Sequence, residues 1–225
     1  TFLLKWHGIT ATAEDRREGE QALMHTVEQL EGFHVPAAAW EGEILPSRLR
    51  DYRPSWLDRL CTSGRIMWLR LDAIVPREQA RNGAIQRRDR STTAQHIRRR
   101  APRRAGPFRS TPIALIGRRH LSDWISQMQG SPQGLSSLAL RVFERLQRYG
   151  ASFVDEIITD TGLLHTQVEQ ALSELVAFGL VSSDAFAGLR ALLLPSHRRK
   201  PLTGRRRRGQ SIQGVEDGGR WFRLE

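Results

Sequence analysis

The side chains best suited to chemistry in this sequence are guanidinium groups, gathered in two runs. Arg98-Arg99-Arg100 with Arg103-Arg104 form the first. Arg198-Arg199-Lys200 with Arg205-Arg206-Arg207-Arg208 form the second. A guanidinium keeps its charge at every relevant pH and presents a planar fork that fits phosphate oxygens. Runs of this kind can follow a nucleic-acid backbone, with sequence-blind affinity that falls steeply as salt rises. Arg190 joins them as a candidate phosphate contact. No aromatic residue interleaves with 81–106, so base stacking is not indicated there. The bland alternative is a pair of solvated insertions. Residues 77–110 hold 11 Lys+Arg against 2 Asp+Glu, and 198–209 hold 7 against 0. The total charge is +11, so the remainder of the chain is mildly acidic. The chain is therefore an acidic body carrying two basic tracts, both too poor in apolar residues to order themselves.

Other chemistry is hard to find. No G-x-x-x-x-G-K-[ST] loop is present to cradle a triphosphate. Asp155-Glu156-Ile157-Ile158 has the look of a helicase acidic box, but it lacks a preceding apolar strand and reads as surface acids on a short helix. Histidines and the single cysteine show no zinc spacing, and Cys61 reads as a small buried apolar residue. Base excision would need a carboxylate beside an extruded base. Asp155, Asp160, Asp217 and Glu225 are available, and nothing singles one out. No catalytic, cofactor-binding or metal-binding residue is assigned. One cysteine excludes an intrachain disulfide, and no run reaches membrane-spanning length.

The elements that would position these groups repeat. Leu57-x-x-Leu60-x-x-x-Gly64-x-Ile66 and Leu172-x-x-Leu175-x-x-x-Gly179-x-Val181 share one spacing: an amphipathic helix end, a glycine stop, then a strand. Before each lies another helix running into glycine, at Gly32 and at Gly150. Three helices followed by a β-hairpin is the plan of the winged helix, and its duplication decides the architecture. The expected class is α+β, mostly helical, with tandem winged-helix modules, short hairpin wings and two basic flexible tracts.

The first module spans 13–128, after the end of a preceding strand over 1–12. Its helices run from about Glu14 to Glu31, from Pro36 to a stop at Pro46, and from Pro54 to Gly64. The strand 66–71 pairs with 112–116 across a wing insertion over 77–110, and a short helix from His120 to Met128 follows. Residues 129–134 are a linker. The second module spans 135–197. It has helices around Leu138–Leu146 and Ser152–Thr159, and a third opened by a Thr166/Glu169 capping box. Val181 begins a strand that turns over Asp184–Gly188 and returns over Leu189–Leu194. A basic tail, 198–218, and a closing strand, 219–225, complete the chain. The third helix is the element that enters the major groove in winged-helix readers. In the second module it turns outward Gln167, Glu169, Gln170, Ser173 and Glu174, and two carboxylates there would repel phosphate. In the first it exposes Asp58 and Arg59. Trp40, Trp56, Trp68 and Trp124 fall in core periodicity, while Trp6 and Trp221 are placed to pack on neighbouring modules.

Several phrases resemble the C-terminal region of the Lhr-type (large helicase-related) proteins, a family of superfamily 2 DNA helicases. Among them are Phe2-Leu3-x-x-Trp6, Gly32-Phe33-x-x-Pro36-Ala37-Ala38-Ala39-Trp40-Glu41, Glu43-Ile44-Leu45-Pro46-x-Arg48 and Asp51-Tyr52-x-Pro54-x-Trp56-Leu57-Asp58. Later come Thr161-Gly162-Leu163-Leu164, Gln167-Val168-Glu169-x-Ala171-Leu172, Glu174-Leu175-Val176, Phe186-Ala187-Gly188-Leu189-Arg190 and Gly219-Arg220-Trp221. The basic tracts carry no family phrase. The resemblance implies a C-terminal fragment of a bacterial, cytoplasmic, nucleoid-associated helicase acting in DNA repair. Its motor, N-terminal to this region, would use ATP and Mg; no cofactor is expected in this segment itself. The implied partners are DNA, single-stranded or forked, the motor of the same chain, and a homo-oligomer, with no membrane. The expected role is to hold DNA backbone and position the motor. An oligomerisation scaffold and a glycosylase-like module are the alternatives.

Overall fold

The computed structural model describes residues 17–71, 111–125, 134–193 and 215–224. The first module opens with helix α1 (Glu20–Gln29), which buries Ala22, Leu23 and Val27. A two-residue strand, β1 (Val35–Pro36), leads into a helical segment, α2, over 37–48. Pro46 does not stop α2 as expected. A π turn, Trp40–Ile44, precedes it, and Leu45 N–H bonds back to Trp40 O. The widened register places the proline just inside the α turn Leu45–Arg48, where its missing N–H disrupts little. Helix α3 (Pro54–Thr62) buries Trp56, Leu57, Leu60 and Cys61. Gly64, at φ 70°, then turns the chain into β2 (Ile66–Leu69). The returning strand β3 (Pro112–Gly117) pairs antiparallel with β2, as the sequence predicts, with Ile66 opposite Gly117 and Leu69 opposite Ala114. β1 adds a third strand on the far side of β3, giving the order β1-β3-β2. A 3-10 turn, Arg118–His120, and helix α4 (Leu121–Ile125) follow.

The second module repeats this path. Helix α5 (Ser137–Tyr149) is capped by Ser136, whose hydroxyl accepts from Ala139 N–H. Helices α6 (Val154–Thr161) and α7 (His165–Ala177) form the next pair. The box at the head of α7 is not Thr166/Glu169. Leu164 is the cap residue, and its N–H donates to the Gln167 side chain at 2.9 Å. Gly179, at φ 69°, stands where Gly64 does and leads into β4 (Val181–Ser183). The segment expected to return as a strand is instead helix α8 (Phe186–Leu193). Its apolar run is too short for periodicity to separate helix from strand. Seven of its residues are buried and only Arg190 keeps partial exposure. The strand that does pair with β4 is β5 (Trp221–Arg223), reached through a 3-10 turn at Val215–Gly218. Ser152 forms a single bridge to Trp221, a remnant of the strand that β1 provides in the first module. The closing strand therefore completes the second wing, and 198–209 lies between paired strands rather than in a tail. Each basic tract thus falls between two paired strands, the first in the β2–β3 connection and the second, after α8, in the β4–β5 connection.

One hydrophobic core runs through both modules, from Leu23 and Trp40 to Leu172 and Trp221. Trp68 and Trp221 meet edge to face with ring centroids 5.9 Å apart. Trp68 Nε1 donates to Ala185 O at 3.3 Å and Ser182 Oγ donates to Trp68 O at 2.6 Å. The partial alternation of β2 has a cause here. Ile66 and Trp68 face the shared core, while Met67 and Leu69 join a second cluster with Ala114 and Ile116. Trp124, Phe222 and Leu224 pack over that second face, so both sides of the wing sheet are covered.

Candidate nucleic-acid interface

The basic residues of the two tracts, Arg98, Arg99, Arg100, Arg103, Arg104, Arg198, Arg199, Lys200, Arg205, Arg206, Arg207 and Arg208, lie outside the described residues. So do the opening strand, the 129–134 linker up to Gly134, Trp6, Glu225 and the Asp217 side chain. The described residues fix where the tracts join the fold. The first leaves after β2 and re-enters at β3. The second leaves after α8 and re-enters before β5.

Arg190 is placed otherwise than expected. Its guanidinium is turned inward at the junction of the modules, and its side chain is only 15% exposed. Nε and Nη2 donate to the two oxygens of Glu41 at 2.5 and 2.7 Å, and Nη1 donates to Asp58 at 3.1 Å. Tyr52 adds a hydrogen bond to Glu41 Oε1 at 2.8 Å. Burial alone would lower the Arg190 pKa, but the bonds and charges of Glu41 and Asp58 raise it above the ordinary arginine value. Asp58 is shifted up because burial outweighs the attraction of Arg190. With most of its donors engaged, Arg190 is a brace between modules rather than a phosphate contact.

That brace covers α3, the helix that its order in the module suggested as a groove reader. Helix α8 packs against α2 and α3, and Asp58, expected to be exposed, is held by Arg190. Arg59 pairs with Glu20 at 2.6 Å. In the second module the two glutamates of α7 are also accounted for. Glu169 is buried, 3.7 Å from His165 Nδ1. Glu174 accepts from Ser136 N–H at 2.7 Å and from Ser136 Oγ at 2.6 Å. The outward surface of α7 is then Thr166 and Gln170, flanked by Gln167 and Ser173, which is polar and uncharged. Glu169 is withdrawn from the outward face and Glu174 is engaged beside it, and no arginine stands on this helix to anchor it to phosphate.

Cationic groups gather instead on the first module, around an open cleft of about 530 Å³ lined by Arg17, Gln21, Met24, His25, Glu28, Gly64, Arg65 and Arg119. It lies between the outer face of α1 and the end of the wing ribbon where Ile66 pairs with Gly117. By sequence these arginines fall in the mildly acidic parts of the chain. Their one sequence signal is position: Arg65 follows the glycine stop, and Arg118-Arg119 follows the returning strand. Of the carboxylates considered for base excision, Asp155 is exposed on α6 and Asp160 pairs with Arg145 at 2.6 Å. Among the described residues no three His, Cys, Asp or Glu side chains converge on a metal site. Among them also, no helix is long and apolar enough to cross a membrane.

Comparison with known proteins agrees with this architecture. Residues 1–86 match the family described as "Large helicase-related protein, winged-helix domain". The chain is 28% identical over 208 residues to an "Lhr helicase/ probable uracil glycosylase" of Mycolicibacterium smegmatis. It is 29% identical over 202 residues to an "Lhr helicase/uracil glycosylase" of Escherichia coli. The alignments take in 88% and 90% of this chain but only 11% of either relative's length. The resemblance to the C-terminal region of the Lhr-type helicases, stated from the sequence phrases, is borne out.

Proposed function

On the premise that this chain is a winged-helix segment of the Lhr family, we propose that it holds DNA backbone and positions an ATP-dependent helicase motor lying outside these residues. One observation carries the reading: each basic tract lies within the connection between the paired strands of one wing, the first directly between β2 and β3, the second after α8 and before β5. Arginine-rich connections of this kind can neutralise phosphates without reading base edges, which suits backbone holding. The covered α3 and the neutral α7 fit a sequence-blind holder better than a base reader. ATP and magnesium belong with the motor, and action in repair follows the same family reading.

The test is the affinity of the chain for a 20-nucleotide single strand as a function of salt. Deleting 81–106 and 198–208 together should lower the slope of log K against log salt by several units, at about 0.7 for each phosphate no longer neutralised. An unchanged slope would remove the reading.

The names of both relatives include a uracil glycosylase, which favours a second reading of this segment as part of a base-excision module. The chain incubated with a uracil-containing oligonucleotide and alkali should then yield strand breaks at uracil. Intact strands would dispose of it.

A further inference from the structure

We propose that the cleft between α1 and the base of the first wing is a second nucleic-acid site, which grips the phosphodiester backbone of a single strand. Arg17 and Arg65 line it, and neither side chain has a carboxylate partner among the described residues. Arg118 flanks the rim, its Cδ 3.7 Å from where a side chain on Gly64 would begin. Arg119 lines the cleft and donates to Glu28 at 2.9 Å. Glu28 is the sole carboxylate in the lining and that bond already engages it. His25 is exposed at the same wall. Unpaired guanidiniums held together repel one another, and an anion that accepts from several of them relieves the repulsion. Gly64 turns the chain into β2 at φ 70°, and a Cβ there would meet only Arg118 Cδ within 4 Å.

The geometry favours an extended polyanion over a small one. The cleft is open and sits at the end of the ribbon away from the tract. The tract joins beyond Leu69, opposite Ala114, whereas the cleft adjoins Ile66, opposite Gly117. Four residues of strand separate the two, about 13 Å or two nucleotides of extended backbone. A strand held where the tract joins β2 is therefore within about two nucleotides of the cleft. The choice of nucleic acid as the polyanion rests on the proposed function; the presence of an anion site does not.

The experiment uses the full chain, tracts included, carrying Arg17→Gln and Arg65→Gln singly and together. Both residues are exposed, so unchanged thermal unfolding is the control for folding. With a fluorescent oligo-dT 20-mer, each substitution should lower the salt slope by about 0.7, and the pair should weaken binding about tenfold or more at low salt. Arg220→Gln, which breaks an exposed pair with Asp184 on the other module, should leave the slope unchanged. A strand bearing iododeoxyuridine should photocrosslink to peptides containing Met24 or Arg119. Crosslinks confined to 77–110 and 198–209, or a double variant with the parent's slope, would overturn the cleft while leaving the wing reading intact. Cleft crosslinks that persist after deletion of both tracts would sustain the cleft, and an unchanged salt slope for that deletion would remove the wing reading. Binding of sodium tripolyphosphate that Arg17→Gln and Arg65→Gln abolish, with no change for the oligonucleotide, would show a free-polyphosphate site and overturn the nucleic-acid assignment.

Discussion

Arg190 and Glu41 stand 149 residues apart in the chain and meet in a two-bonded ion pair, Nε to Oε2 at 2.5 Å and Nη2 to Oε1 at 2.7 Å. One residue belongs to the second module and the other to the first, and Asp58 shares the same guanidinium. Removing the arginine leaves two partly buried carboxylates facing each other without a counter-charge. Arg190→Ala should cost about 3 kcal/mol in urea unfolding, and Arg190→Lys about half of that, since an ammonium cannot bond both oxygens in the same plane. A loss under about 1 kcal/mol for the alanine variant would show that the modules do not depend on this ion pair.

The backbone of α8 also touches the turn before β5. A Cβ on Gly218 would lie 2.4 Å from Gly188 Cα and 2.9 Å from Gly188 N. Neither backbone atom can move without lifting α8 from Trp221. Gly218→Ala should therefore destabilise the chain by about 2 kcal/mol or more. Gly42→Ala, with nothing within 4 Å, should be neutral or gain up to about 1 kcal/mol from helix propensity. Equal thermal midpoints for the two variants would contradict this close approach.

Glu174 closes the head of α5 by accepting both the N–H and the hydroxyl of Ser136. Glu174→Ala should cost about 1–2 kcal/mol, and Glu174→Gln less, because the amide retains one acceptor. Double-mutant cycles with Ser136→Ala should return a coupling of about 1 kcal/mol. Additive losses would mean that the pair is not formed in solution.

Alkaline pH should weaken the fold. Burial pushes the Cys61 thiol above its ordinary value of 9.0. Burial, together with Glu41, pushes the Tyr52 phenol above 10.0. In the unfolded chain both groups lose their protons first, so above about pH 9 the native state binds more protons. Stability then falls as pH rises, by up to about 1.4 kcal/mol per pH unit for each group. The urea midpoint should drop between about pH 8 and pH 10.5, and a Cys61→Ala, Tyr52→Phe chain should show a flatter profile. Parallel profiles for parent and variant would refute the assignment.

The sequence by itself determined what repeats. Leu-x-x-Leu with its glycine stop needs only the helical period and the left-handed freedom of glycine. α3–β2 and α7–β4 therefore formed where those local rules put them, and the β2–β3 pairing followed from two β-rich runs around a tract that cannot fold. The family phrases were equally local. Only the tertiary structure decided which residues are used up inside. Arg190, Asp58 and Glu174 read as surface charges because nothing local reveals partners 38 to 149 residues away. Leu189–Leu194 read as a strand because a short apolar run fits either period, and burial on every side chose the helix. The cleft of Arg17, Arg65 and Arg119 is invisible for the same reason: arginines on either side of the first basic tract come to line one cleft only when α1 folds against the base of the wing.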